Sequence, residues 1–266
     1  MSYETIETEN AGGVARIWLN RPDLRNAMND TLIGELTAAF AQAIDDDAVR
    51  AIVLGGRGSA FCAGGDLNWM KRAREMSPEE AFEDSRRLAR LFRTIHESPK
   101  PVVARVHGPA FAGAMGLVAA CDIAIGSPGA KFCLSEVKLG LIPAMISPFV
   151  IARIGEPQAR RWFLTAEVFD AERAARIGML HDVHPAEELD AAIDALLANL
   201  LQAGPSALRE AKRLIRDVTG RPVDDALTDE TARRIAAVRA SAEGQEGIAA
   251  FFEKRKPSWA TGRETQ

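Results

Sequence analysis

Val102-Val103-Ala104-Arg105-Val106-His107-Gly108-Pro109-Ala110-Phe111-Ala112-Gly113-Ala114-Met115-Gly116 runs from a β-forming segment through a turn of small residues into a helical one. The spacing predicts a buried strand over 102–106, a Gly/Ala-rich turn from Gly108 to Gly116 and a short helix from about Ala114 onward. The same order occurs upstream. Ala51-Ile52-Val53-Leu54 reads as a strand buried on both faces, and Gly55-Gly56-Arg57-Gly58 ends it. Phe61-Cys62-Ala63-Gly64-Gly65-Asp66-Leu67 then places small residues ahead of a helix starting at Leu67. Downstream, further strands are predicted at Asp122 to Ile125 and Lys131 to Cys133. Strands alternating with helices mean an α/β fold with right-handed crossovers.

The flanking sequence extends this pattern. Val14 to Leu19 is a short β-forming run, Asn20-Arg21-Pro22-Asp23 turns the chain, and Leu32, Ile33, Leu36, Phe40 and Ile44 recur at helical spacing from Asp30 to Ile44. Ser77-Pro78-Glu79-Glu80 combines a capping box with proline at the first helical position. Phe82, Leu88, Leu91, Phe92 and Ile95 supply that helix with its buried stripe, and Pro99 and Pro101 stop it. After about Ser147 the segments 147–154, 156–165, 170–178, 186–203, 206–218, 224–241 and 244–254 all read as helices. Short helices need partners for their apolar faces, so the C-terminal part packs on the core or on a neighbouring subunit. The chain divides into a core over 1–203 and a helical region over 204–266.

Composition excludes several classes of function. The 266 residues are 47% hydrophobic and 26% charged, as in ordinary globular proteins. A formal net charge of −4 argues against a nucleic-acid surface. No apolar run is long enough for a membrane span. Met1-Ser2-Tyr3-Glu4-Thr5 lacks the basic and apolar regions of a signal peptide, which places the protein in the cytoplasm. Cys62, Cys121 and Cys133 have no C-x-x-C spacing and read as small buried hydrophobes. His96, His107, His181 and His184 fall at element ends without an HExxH pattern, which argues against a metal site. The P-loop, dinucleotide and G-x-S-x-G signatures are missing. His107 either lines a pocket or makes a structural hydrogen bond, the second being the commoner role.

What remains is backbone chemistry and one carboxylate. A helix N-terminus offers unpaired N–H donors and partial positive charge, and glycine lets a ligand approach them. Either glycine segment alone reads as a tight turn, whereas two at equivalent positions favour an anion site. Two such termini facing each other form an oxyanion hole. Glu136 lies in Phe132-Cys133-Leu134-Ser135-Glu136-Val137-Lys138-Leu139-Gly140-Leu141-Ile142-Pro143, a mostly apolar stretch. Such surroundings raise a carboxyl pKa and suit proton transfer. An ion pair with Lys138 or a nearby arginine is the equally weighted alternative. Asp66 reads as the cap of the helix that follows it.

Taken together these segments resemble the enoyl-CoA hydratase/isomerase (crotonase) superfamily over nearly the whole chain. Asn20-Arg21-Pro22 followed by Asn26-Ala27-Met28 resembles its opening signature. Ala63-Gly64-Gly65-Asp66 resembles the first oxyanion-hole motif and His107 through Gly116 the second. Ser135 to Pro143 resembles the catalytic-glutamate segment, and Phe251-Phe252-Glu253-Lys254-Arg255-Lys256 the terminal helix that reaches coenzyme A.

The resemblance implies a crotonase-like spiral of ββα units with a C-terminal helical trimerisation region, assembled as a homotrimer or homohexamer. It implies that Gly65 and Gly113 carry the two N–H donors and that Glu136 moves the proton. Arg25, Ala27, Ala63, Gly64, Asp66 and Leu67 would hold the nucleotide and pantetheine, and Phe251 and Lys254 would complete that site from an adjacent subunit. Coenzyme A enters as part of the acyl-CoA substrate, with no metal or redox cofactor.

One position departs from the family pattern. Two-glutamate hydratases carry a glutamate three residues after the second oxyanion-hole glycine, where this chain has Gly116. Hydration of a 2-enoyl-CoA is the expected reaction. A Δ3,Δ2-enoyl-CoA isomerase using Glu136 alone is the alternative, and a non-catalytic acyl-CoA-binding member is a third. The segments Gly116 to Gly126 and Phe132 to Pro148 are similar to bacterial methylglutaconyl-CoA hydratase-like proteins of branched-acid and acyclic-acid catabolism. For a substrate with a distal carboxylate, Lys71, Arg72 and Arg74 supply a counter-charge; otherwise they form an exposed helix face.

Overall fold

The computed structural model describes residues 3–260. Residues 1–2 of the expected core and residues 261–266 of the expected C-terminal region lie outside the described residues. The chain forms β1 (Ile6–Ala11), β2 (Val14–Leu19), α1 (Asp30–Asp45), β3 (Ala51–Gly56), α2 (Leu67–Ala73), α3 (Pro78–Glu97), β4 (Val102–Val106), β5 (Ala110–Phe111), α4 (Gly113–Ala120), β6 (Ile123–Gly126) and β7 (Lys131–Cys133). It continues through α5 (Ser147–Thr165), β8 (Phe169–Asp170), α6 (Ala171–Arg176), β9 (Asp182–Val183), α7 (Leu189–Gln202), α8 (Pro205–Val218), α9 (Asp225–Ala240) and α10 (Ala242–Phe252). Short 3-10 turns cover Pro22–Leu24 and Glu136–Leu139.

The six-stranded sheet has the order β1-β2-β3-β4-β6-β9, and a smaller sheet has the order β5-β7-β8. In the large sheet only β1 runs antiparallel to its neighbour; β2, β3, β4, β6 and β9 pair in parallel. Parallel pairing requires crossovers; α1, α3 and α4 supply the first three, and α5 and α6 lie in the connection from β6 to β9. Their apolar stripes and one face of the sheet form the main core around Leu36, Phe40, Leu54, Leu88, Phe92 and Met115. The opposite face, through Val14, Val53, Val103 and Ile125, is covered by Leu189, Ile193 and Leu197 of α7. All six residues of β3 are buried, as a run flanked by helical layers should be.

The α/β architecture expected from the alternation is the one observed. The α3 start is also as read: Ser77 Oγ accepts from Glu80 N–H, and Ser77 N–H donates to Glu80 Oε2 at 2.8 Å. The segments 147–154 and 156–165 are two helical pieces, as read, which meet within α5 at Gly155, whose φ of 76 and ψ of 158 are non-helical, ahead of Pro157. Strand β1 was not anticipated. Its sequence, Ile6 to Ala11, is polar and exposed beyond Ile6, so no period-2 signal marks it. Pairing with β2 makes it a strand.

The C-terminal helices cover little of their own apolar surface. No residue of α8 is buried, and Ile215, Ile235, Phe251 and Phe252 are exposed. Lys212 ties α8 to the core through Asp122 Oδ2 at 2.7 Å and the Lys100 carbonyl at 3.1 Å. Among the described residues, no helix is long and apolar enough to cross a membrane.

Candidate active site

The first glycine turn is held by backbone bonds on both sides. Cys62 N–H donates to the Pro109 carbonyl at 3.0 Å, and Phe111 N–H donates to the Cys62 carbonyl at 3.1 Å. On the other side Ala63 N–H donates to the Arg25 carbonyl at 2.9 Å. Met28 N–H donates to the Gly64 carbonyl and Asp66 N–H to the Met28 carbonyl, each at 2.8 Å. Met28 therefore pairs in parallel with Gly65. The bonds of that pair use the residues on either side of Gly65, which leaves the Gly65 N–H directed away from Met28. Gly64 sits at φ +97, and a Cβ there would lie 3.0 Å from the Phe111 carbonyl oxygen and 3.3 Å from Ala112 Cβ. Only glycine meets both demands without strain.

The second turn ends at Ala112, whose φ of 50 and ψ of −122 are uncommon for a residue with a Cβ. Its N–H donates to the Cys133 carbonyl at 2.8 Å, and α4 begins at Gly113 without a side-chain cap. A Cβ at Gly113 would lie 2.5 Å from Met28 Cε. Met28 thus touches both turns, its backbone paired with Gly65 and its thioether methyl against Gly113. Among the described residues neither the Gly65 N–H nor the Gly113 N–H has an acceptor. Both glycines are half-buried. Two such donors, unpaired and partly shielded from water, are what an oxyanion requires.

Glu136 opens the 3-10 turn three residues beyond Cys133, the residue whose carbonyl anchors Ala112. Its Oε2 is buried and has no hydrogen-bond partner among the described residues. Burial pushes its carboxyl pKa up, opposed by its own backbone N–H. The ion-pair alternative is corrected: Lys138 Nζ donates instead to the Ala166 carbonyl at 2.7 Å. A half-buried carboxyl with one unpartnered oxygen and a raised pKa suits proton transfer.

The remaining expected residues fall into two groups. Arg25, Ala27, Ala63, Gly64 and Leu67 lie along two backbone segments that run side by side through the Arg25–Ala63 and Met28–Gly65 contacts. Arg25 is exposed in the left-handed region at φ 50, and Leu67 is 75% exposed at the start of α2. The Asp66 side chain caps α2, as its place ahead of that helix suggests, and the expected ligand contact falls to the backbone. It accepts from Asn68 N–H at 2.8 Å, Trp69 N–H at 3.3 Å and Arg21 Nη2 at 3.0 Å. Burial raises its pKa, but the Arg21 and backbone hydrogen bonds outweigh that and hold it below the ordinary carboxylate range. Phe251 and Lys254 lie at the end of α10, which packs on α9 and α8. No hydrogen bond or ion pair among the described residues joins them to the Arg25–Leu67 segments within one protomer.

Arg21 and Asn26, quoted above in the opening signature, have a structural role that the sequence did not reveal. Asn26 is fully buried at φ 57; its amide donates to the Arg57, Ala60 and Phe61 carbonyls, and its Oδ1 accepts from Arg21 N–H. Arg21 also donates to the Ala27 carbonyl and so joins this loop to Asp66. A polar residue is a weak signal in sequence, because its partners lie about thirty positions away. His107 makes the structural bond, Nε2 to the Gly58 carbonyl at 2.9 Å. Arg72 donates to Asp30 Oδ2 at 2.5 Å, and Lys71 and Arg74 are exposed, so this trio forms a solvated helix face. At Gly116 the space for a side chain is filled by Ile146 and Phe92.

A family model described as enoyl-CoA hydratase/isomerase matches residues 9–262. A curated enoyl-CoA hydratase of Alternaria alternata is 37% identical, covering 96% of this chain and 86% of that protein. A crotonyl-CoA hydratase of Syntrophomonas wolfei is 33% identical over 97% of this chain and 99% of its own length. The crystal structure of an enoyl-CoA hydratase from Shewanella pealeana superimposes with a TM-score of 0.94 at 41% identity, covering 96% of both chains.

Proposed function

The chain belongs to the enoyl-CoA hydratase/isomerase family, and from that premise we propose that it adds water across the double bond of a 2-enoyl-CoA. One observation carries the proposal: the N–H groups of Gly65 and Gly113, two glycines that both adjoin Met28, have no acceptor among the described residues. In the proposed reaction the thioester oxygen accepts from both, and each donor contributes about 3 kcal/mol at the transition state. Glu136 takes a proton from water as the oxygen bonds to C3, which leaves an enolate. The same carboxyl then returns that proton to C2. The unpartnered Oε2 of Glu136 supports this role. Arg25, Ala27, Ala63, Gly64 and Leu67 hold the nucleotide and pantetheine, with Asp66 shaping the loop. Phe251 and Lys254 of a neighbouring subunit complete the site, and the exposed apolar residues of α8 to α10 support a homotrimer or homohexamer. Coenzyme A arrives with the substrate, and no further cofactor takes part. Three free buried thiols suit a reducing cytoplasm.

Ile146 in the Gly116 space favours a second reading, Δ3,Δ2-isomerisation, because it leaves a single carboxyl to shuttle a proton between carbons. Turnover in ¹⁸O-labelled water separates the two. Hydration puts labelled oxygen on C3, whereas isomerisation puts in none. Glu136→Gln retains acyl-CoA binding and loses turnover under both. No turnover of any enoyl-CoA by the parent, with binding intact, identifies a binding protein instead.

A further inference from the structure

Beside each oxyanion-hole glycine stands a large apolar side chain. At Gly65 a Cβ would lie 3.4 Å from Trp69 Cε3 and Cζ3 and 3.6 Å from Met70 Cγ, so the indole rests directly on that glycine. One helical turn beyond Gly113, Ile146 and Phe92 close on Gly116, and Met145 and Phe149 pack on the same core. The helix that carries Trp69 has little else to hold it. Helix α2 is seven residues long, and none of them is fully buried.

Its position comes from polar tethers. Trp69 Nε1 donates to Asp84 Oδ1 at 3.3 Å, and the same oxygen accepts from Arg87 Nη2 at 2.8 Å. The Asp84 side chain is only 7% exposed, although α3 meets solvent on much of its surface. Arg87 also reaches Asp30 Oδ1 at 3.3 Å, and Asp30 Oδ2 holds Arg72 of α2 at 2.5 Å. Asp30, Arg72, Trp69, Asp84 and Arg87 thus close a ring of contacts through α1, α2 and α3. A buried carboxylate placed to receive an indole N–H fixes the plane of that ring as well as its distance from Gly65.

We propose that Trp69 sets the size of the acyl group this site accepts, restricting it to short chains, and that Asp84 is the positioning residue that keeps the indole there. The proposal rests on the acyl-CoA reading of the site. A thioester whose oxygen meets Gly65 N–H carries its acyl carbons within a few bonds of that glycine, where the indole and the Ile146 side stand. Short acyl groups fit beside this wall, and longer ones require it to move.

Binding of unreactive CoA thioethers with butyl, octyl and dodecyl chains, followed by calorimetry, tests the proposal without depending on turnover. The parent binds butyl more tightly than dodecyl. Trp69→Ala shifts that ratio toward dodecyl by about tenfold or more, the scale on which an apolar pocket discriminates chain length. Trp69→Phe shifts it less, and carries the test should the alanine variant fail to fold. Asp84→Leu moves the ratio in the same direction, while Asp84→Asn, which keeps an acceptor oxygen, stays near the parent. A merely structural role would weaken all three ligands alike. A parent that prefers dodecyl, or a ratio unmoved in both Trp69 variants, overturns the proposal and leaves the acyl-CoA reading standing. A parent that binds none of the thioethers overturns both.

Discussion

Ile146 occupies the place that any side chain at Gly116 would need. Its Cγ2 lies against the position of a Cβ there, and Ile146 Cβ and Phe92 Cε1 are each 3.0 Å from it. Ile146 is 2% exposed and Phe92 fully buried, so neither can swing into solvent. Gly116→Ala should therefore cost about 1–3 kcal/mol, the usual penalty of overpacking a core. Adding Ile146→Ala should make the pair cost less than the sum of the single changes. Denaturant unfolding of all four proteins measures this, and strict additivity would show that the two positions do not compete for space.

Glu136 links activity and stability to pH in opposite senses. Burial raises its folded pKa above the unfolded value. A group shifted this way contributes stability below the unfolded pKa, and that contribution is lost as pH rises through the folded pKa. Glu136→Gln should therefore be more stable than the parent at neutral and alkaline pH, with the gap closing in acid. Urea titrations across pH test it, and a gap that does not change with pH refutes it.

As a proton acceptor, Glu136 has to begin ionised. The rate should fall as pH drops through its raised pKa, so the acid limb of kcat/KM should lie above the ordinary carboxylate range. Glu136→Gln should cost about 10²–10⁴ in turnover.

Gly64→Ala tests the first turn. At φ +97, with the Phe111 carbonyl oxygen 3.0 Å from the new methyl, the substitution is strained and has backbone to displace. A loss of about 1–3 kcal/mol is expected. Because Gly65 follows directly, kcat/KM should fall further than stability explains, by up to about 10²-fold if one donor is misplaced. A fold loss with unaltered kcat/KM would separate Gly64 from the site.

Asp66→Asn keeps a helix-capping oxygen but removes the charge that Arg21 meets at 3.0 Å. The pKa of Asp66 is held low, against burial, by Arg21 and the α2 N–H groups. Its stabilisation is present above the unfolded pKa and is lost as pH falls through the folded one. The asparagine variant should be less stable than the parent at neutral pH, and equal to it once the pH is below the folded pKa. Thermal melts over that range check the convergence.

Local rules made much of this legible in the sequence. The Ser77 capping box, the strands 51–54 and 102–106, the two glycine turns and Glu136 in its apolar stretch each depend on neighbours within a few positions. So does the family resemblance, which follows ordered short motifs. Nothing in the sequence ties Trp69 to Asp84, fifteen residues away on another helix.

The sequence alone determined the α/β alternation, the two glycine turns and the candidate carboxyl, because periodicity, capping and glycine conformation act over one or two turns of chain; which amides donate was implied by the family resemblance. Tertiary structure decided what each group faces: Met28 against both Gly65 and Gly113, Ala166 rather than Glu136 for Lys138, Ile146 against Gly116, and Arg21 on Asp66. Burial and hydrogen-bond satisfaction are settled by all the elements packed around a residue at once. A carboxylate in sequence has many possible partners; in the packed chain Glu136 has a buried oxygen with none among the described residues.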